Sequence, residues 1–197
     1  MPALSITLND ERIVTVASDG LDLIDVTVGG DRLGPERAVL RVSGGSFDDT
    51  TERRFLTWVP EREIKVGDSL KITFDFEGAS SRPGQTIEEL YPEELDKPSP
   101  PFQPVNEVVR ELMQRPKLFE SLGFRIGLPD GTVTEGRTTP EEHGFGFSVS
   151  WASHRSTHAR VSLHTYTLPG LVDKRPLTYH ADCKLPPGEG VTFNVVA

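Results

Sequence analysis

Glu52-Arg53-Arg54-Phe55-Leu56-Thr57-Trp58 returns later in the chain as Asp173-Lys174-Arg175-Pro176-Leu177-Thr178-Tyr179. Counterparts such as Arg54 and Arg175 lie 121 positions apart. The same offset lays Ile64-x-x-Gly67-Asp68-x-Leu70-x-Ile72 over Leu185-x-x-Gly188-Glu189-x-Val191-x-Phe193. It holds from residues 38–74 to residues 159–195 without a gap. Identity is sparse: Ala38/Ala159, Arg54/Arg175, Leu56/Leu177, Thr57/Thr178 and Gly67/Gly188. The pattern of properties says more. Leu40, Val42, Leu70, Ile72 and Phe74 meet Val161, Leu163, Val191, Phe193 and Val195 in alternation. A strand with one buried face needs that alternation, because successive side chains point to opposite faces. The chain reads as two copies of one β-rich unit.

Upstream the match is looser. Ile6-Thr7-Leu8-Asn9-Asp10 falls opposite Ile126-Gly127-Leu128-Pro129-Asp130, and small gaps place Ile24, Val26 and Val28 opposite Phe147, Val149 and Trp151. In the first unit, strands are expected at 4–8, 12–16, 21–28, 38–42, 55–59 and 69–76. Turn signals separate them: Asn9-Asp10, Asp19-Gly20, Gly29-Gly30, Gly44-Gly45 and Gly67-Asp68. In the second, strands are expected at 124–128, 132–136, 144–151, 159–167, 177–181 and 191–196. Pro186-Pro187 cannot donate to a ladder and marks a loop or an edge.

Residues 77–104 break the pattern. Proline is dense from Pro83 to Pro116, and Glu88, Glu89, Glu93, Glu94 and Asp96 make a local acidic run, so an extended linker is expected. One helix follows at about 104–115. Val105, Val108, Val109, Leu112 and Met113 recur at the spacing of a single apolar stripe, which would pack on one β unit or between the two. Pro116 ends it; residues 117–122 read as a further short turn with Gly123 as its cap. The expected fold is all-β. Two tandem, related sandwich-like units, 1–78 and 123–197, are joined by a proline-rich acidic linker and helix over 79–122. Whether they share a sheet is left open.

Composition bounds the function. A single cysteine, Cys183, forbids an internal disulfide and suggests a reducing compartment. The beginning Met1-Pro2-Ala3-Leu4-Ser5-Ile6 lacks a secretory signal pattern, and no run of about 20 apolar residues is present, so a cytoplasmic protein away from membranes is expected. Net charge is −9. Residues 1–78 hold 9 basic and 15 acidic side chains, residues 79–122 hold 5 and 8, and residues 123–197 hold 7 and 7 together with every histidine. An acidic first unit speaks against nucleic acid, which demands a basic face, and for a basic protein partner.

Leu56-Thr57-Trp58 followed by Ile64-Lys65-Val66-Gly67-Asp68-Ser69-Leu70-Lys71-Ile72 resembles the ending of small bacterial β-rich proteins with an L-x-W element and then V-G-D-x-hydrophobic-x-hydrophobic. The resemblance covers about residues 21–76, and the second unit in degraded form. It implies the neighbourhood of bacterial toxin and immunity systems. It carries no catalytic role to any residue.

Candidate chemistry is thin. His154, His158 and His164 are the candidate metal ligands. His158 and His164, six apart on a strand, would share a face at about 20 Å, too far for one ion. Cys183 has only His180 near it in sequence, and on a regular strand the two face opposite sides. Asp22 and Asp25 are also oddly spaced, a poor acid–base pair. Asp22 and the acidic loop of Asp48, Asp49 and Glu52 are candidate contacts for a basic partner. The aromatic pair Trp58/Tyr179, present in both copies, is read as core. No cofactor is expected. The favoured function is a non-enzymatic protein-binding module, in its most concrete form an immunity-type inhibitor that occludes a basic toxin domain. The alternatives are a structural component of a phage or secretion apparatus, which would self-associate, a metal-dependent enzyme using the histidines, and carbohydrate binding through exposed aromatics.

Overall fold

Alternation decides the architecture, and all twelve expected strands form. In the computed structural model, which describes residues 1–47, 54–95, 97–98 and 101–197, the first half supplies β1 (Ala3–Leu8), β2 (Glu11–Ala17), β3 (Leu23–Asp31), β4 (Val39–Ser46), β5 (Arg54–Glu63) and β6 (Ser69–Asp75). Two helices follow, α1 (Ile87–Leu90) and α2 (Val105–Met113). The second half supplies β7 (Gly123–Gly127), β8 (Val133–Arg137), β9 (Gly144–Ala152), β10 (Ala159–Tyr166), the short α3 (Leu168–Val172), β11 (Thr178–Leu185) and β12 (Gly190–Val196).

The strands form two six-stranded antiparallel sheets. Their orders are β2-β1-β6-β12-β7-β8 and β11-β10-β9-β3-β4-β5. Each half gives three strands to each sheet, so the two units share both sheets. The orders are symmetric about their middle pairs, and the registers carry the same symmetry. In β3–β9, Thr27 pairs with Ser148; in β6–β12, Lys71 pairs with Thr192. Each of these residues lies 121 positions from the one it faces. A pseudo-twofold axis therefore passes between Thr27 and Ser148 in one sheet and between Lys71 and Thr192 in the other. β3 and β9 correspond residue for residue without a gap, so Ile24, Val26 and Val28 are the counterparts of Phe145, Phe147 and Val149. The upstream gaps inferred from sequence are not needed there. The shared glycine, Gly67 or Gly188, holds a φ of +91° or +80° at the turn into β6 or β12, a conformation that favours glycine.

One continuous core lies between the sheets. The halves fill it differently. The second contributes Phe124, Phe145, Phe147 and Phe193, with Phe147 stacked on Phe193 at 4.6 Å. The first relies more on Leu4, Ile6, Ile24, Val26 and Ile72, with Phe74 as its one fully buried phenylalanine among the described residues; Trp58 in the first half and Trp151 in the second complete the core. Burial of these side chains is the main stabilising term.

The residues between the halves begin as a strap. Ser81 bonds through its amide to Thr15 O at 2.9 Å, and the Ser80 and Ser81 hydroxyls accept from the amides of Ala17 and Thr15 on edge strand β2. The strap then reaches the other sheet, where Gln85 and Thr57 exchange two backbone bonds on edge strand β5. Trp58 donates its indole N–H to Arg82 O at 3.1 Å, and Gly84 approaches the Trp58 ring so closely that a Cβ would come within 2.9 Å of it. Residues 80–85 thus seal both edges of the first half, a standard defence of exposed edges. Thr86 then caps α1 in a capping box with Glu89.

Several readings need correction. Gly29-Gly30 and Gly44-Gly45 lie inside β3 and β4, not in turns. Residues 117–122 are not helical, and Gly123 opens β7. No residue of α2 is buried: its apolar stripe exists, but Val105 and Met113 stay exposed. Trp58 is core at 5% exposure, whereas Tyr179 is 51% exposed. A displaced bulge explains this. The β4–β5 ladder skips Trp58 and the β10–β11 ladder skips His180, one position later in the repeat. A one-residue slip turns a side chain to the other face. No helix among the described residues is long and apolar enough to cross a membrane.

Candidate functional site

The outer face of the second sheet is built by the residues of β3, β9, β10 and β4 that alternate with the core. On β3 these are Asp25, Thr27, Gly29 and Asp31; on β9 they are Gly144, Gly146, Ser148 and Ser150. Around the axis, Asp25 faces Ser150 on one side and Gly29 faces Gly146 on the other. The symmetry is broken in chemistry at the point where it is tightest in geometry. One side carries a carboxyl and a hydroxyl; the other is bare backbone.

The bare side opens a trough of about 490 Å³. Gly29 is its open floor, since a Cβ there would meet nothing within 4 Å. His164 roofs Gly146, where a Cβ would come within 2.8 Å of its Nε2. Val39 and Arg41 form the opposite wall, and Asp31 and Tyr166 close one end. Tyr166 lies over Gly144, whose added Cβ would meet the phenol oxygen at 2.5 Å.

The electrostatics of the trough are acidic. Burial pushes the Asp25 carboxyl above its ordinary range, although the Ser150 hydroxyl donates to it at 2.5 Å. Asp31 accepts from the amides of Leu33 and Gly34 through one oxygen. Burial, with Asp31 nearby, pushes the Tyr166 phenol up to about 12. Burial, with His180 nearby, pushes the His164 imidazole down, and its buried Nδ1 has no hydrogen-bond partner. Arg41, the one arginine among the described lining residues, is held by Glu61 at 2.5 Å. Carboxylates, hydroxyls and aromatic rings on an open floor offer acceptors that would suit a cationic, hydrogen-bonding group. Asp25 and His164 are two strands and two pairing rows apart, about 16 Å at the Cα atoms, which is too far to share a proton.

The sequence-derived candidates lie elsewhere, His164 excepted. His154 sits in a 3₁₀ turn against Arg155, and His158 contacts Thr157. Among the described residues no group of three or more His, Cys, Asp or Glu side chains is placed to hold a metal. Asp22 accepts from the Phe47 amide at 2.8 Å and from the Ser153 hydroxyl at 3.1 Å, tying the start of β3 to β4 and to the turn after β9. Asp48, Asp49 and Glu52 lie outside the described residues. His180 and Cys183 do not face opposite sides: the bulge turns His180 inward onto Phe124, and Cys183 also packs against the core. Burial, with Asp130 and Asp182 nearby, raises the thiol, which disfavours the reactive thiolate.

Sequence reasoning missed Gly29, Gly146, Asp31 and Tyr166. The available signal was Gly144-x-Gly146 inside an apolar run: glycines at alternate strand positions leave one face of that strand bare. Comparison of the chain with family models, with curated proteins and with solved structures found no match.

Proposed function

We propose that this chain is a non-enzymatic protein-binding module that receives a basic segment of its partner in the trough over Gly29. The observation that carries this reading is the acidic, glycine-floored trough at the pseudo-twofold axis, whose one arginine is already paired with Glu61. The acidic balance of residues 1–78 supports it, because a field of one sign speeds encounter with a partner of the other. The resemblance to proteins of toxin and immunity neighbourhoods supports a specific form, an inhibitor that occludes a basic toxin domain. Two measurements test it. Titration with an arginine-rich peptide is expected to shift amide resonances of β3, β9 and β10, more weakly as salt is raised. The product of the adjacent gene is expected to form a complex at micromolar concentration, and the chain to protect cells expressing it. Peptide shifts confined to other surfaces, with no complex and no protection, would end the proposal.

A further inference from the structure

Asp31 and Tyr166, which close one end of the trough, face its neighbour as well. Both residues also line a second depression of about 230 Å³, shared with Leu33, Leu112, Arg115 and Leu168. Leu33, Leu112 and Arg115 in turn line a third, of about 380 Å³, between α2 and α3, together with Lys117 and Arg175. The three depressions therefore adjoin one another, from the outer face of the sheet to the cleft between α2 and α3. The middle one mixes Leu33, Leu112 and Leu168 with Asp31, Arg115 and His143, whereas Asp25 lines only the trough, and Lys117 and Arg175 line only the cleft. At the far end Arg115 is exposed and Lys117 donates to Pro140 O at 2.6 Å, while Glu141 opposes them and Asp173 pairs with Arg175. Beneath them Arg32 is buried. Its guanidinium is satisfied by the carbonyls of Phe119, Thr139, Pro140 and Glu142, acceptors that bring no formal charge to cancel its own. Burial, with Arg32 nearby, lowers the Lys117 pKa, and burial, with Lys117 and Arg32 nearby, lowers that of His143. The cleft is therefore a basic pole on an acidic chain. Leu112 and Met113 of the α2 stripe line this cleft.

We propose that trough and cleft together receive one extended peptide segment of a partner, with its basic end over Asp25, apolar side chains on Leu112 and Leu168, and its acidic end against Arg115 and Lys117. Charge at the two ends sets direction, and Leu33, Leu112 and Leu168 supply apolar area between them. The acidic end is either a side chain or a terminal carboxylate; the shared chemistry is a carboxylate facing two cations. This inference rests on the trough being a binding site and adds the polarity and the path.

The test selects binders to the full chain from a displayed library of random 12-residue peptides. The peptides are synthesised with free and with amidated C-termini and measured by fluorescence anisotropy. Two variants at exposed positions divide the path: Gly29→Leu fills the open floor, and Arg115→Glu reverses the far pole. Retained amide spectra show that each variant folds. Selected peptides are expected to be basic at one end and acidic at the other. Each variant is expected to weaken them about tenfold or more, the scale of a lost central contact. A charge-reversed peptide is expected not to bind. Loss on amidation assigns the far contact to the terminal carboxylate, and indifference assigns it to a side chain. Weakening by Gly29→Leu alone overturns the path while leaving the binding module standing. Weakening by Arg115→Glu alone, by neither variant, or an empty selection removes both.

Discussion

The two halves solve the same closure problem by different means. In the first, the open side between β2 and β5 is spanned by the strap of residues 80–85, clamped by Trp58 and Arg82. In the second, β8 and β11 come close to one another. Gly136 makes room there for Phe124, and His180 packs against the same ring at 4.9 Å. Strand order and the registers of the two central ladders are held constant, while the outer ladders shift by a bulge and the filling of the side is free to change. The difference teaches that this fold is specified by its central ladders and its alternation, and that the edges are where the two halves differ.

Removing the clamps tests that contrast most severely. Trp58→Ala is expected to cost about 3–5 kcal/mol, since it opens a core cavity and releases the strap. His180→Ala, its spatial counterpart, is expected to cost about 1 kcal/mol, the scale of one hydrogen bond, here to Thr165. Urea unfolding of both variants measures the gap. Equal losses would mean that the two closures are equivalent after all.

The glycine pair across the axis sharpens the comparison at smaller scale. Gly146→Ala drives a Cβ within 2.8 Å of the His164 ring, so a loss of about 1–3 kcal/mol is expected. Gly29→Ala meets nothing within 4 Å, and its effect is expected to be neutral or a gain of up to about 1 kcal/mol as unfolded-state entropy falls. Thermal unfolding of the two variants side by side reads the sign.

Smaller effects come from titration. Asp25 has a raised folded-state pKa, so its contribution is fully present below its ordinary 3.8 and is lost as pH rises through the folded value. Asp25→Asn is therefore expected to stabilise the protein at neutral pH, with the gain gone below 3.8; a gain independent of pH would refute the assignment. His164 runs the other way. Burial lowers its pKa, so stability is present above 6.5 and declines as pH falls through the folded value. His164→Phe is expected to flatten part of that decline, measured as the difference in unfolding midpoint from the unmodified chain. His143, lowered by burial with Lys117 and Arg32 nearby, adds to the same decline.

Much of this fold was legible because alternation is local. Leu4, Ile6, Val26, Val28, Ile72 and Phe74 announce their burial within a few residues of chain. The pairing of β3 with β9 and of β6 with β12 was not legible, since no short-range signal says which strands meet across halves. The exchange of Tyr179 for His180 at the core also escaped, because a bulge moves a face without changing composition. The trough was missed for a related reason. Gly29-Gly30 carries the signature of a turn, and only the surrounding ladder makes it a strand with nothing on its outer side.

The middle ladders have a further meaning. Each sheet is joined across its centre by strands from opposite halves, so neither half owns a finished sheet. A polypeptide severed within residues 79–104 would yield two fragments, each with two unsatisfied strand flanks and a one-sided set of apolar side chains. Such fragments should reconstitute only by meeting about the Thr27/Ser148 axis. A single half on this plan would need a second copy of itself to complete either sheet.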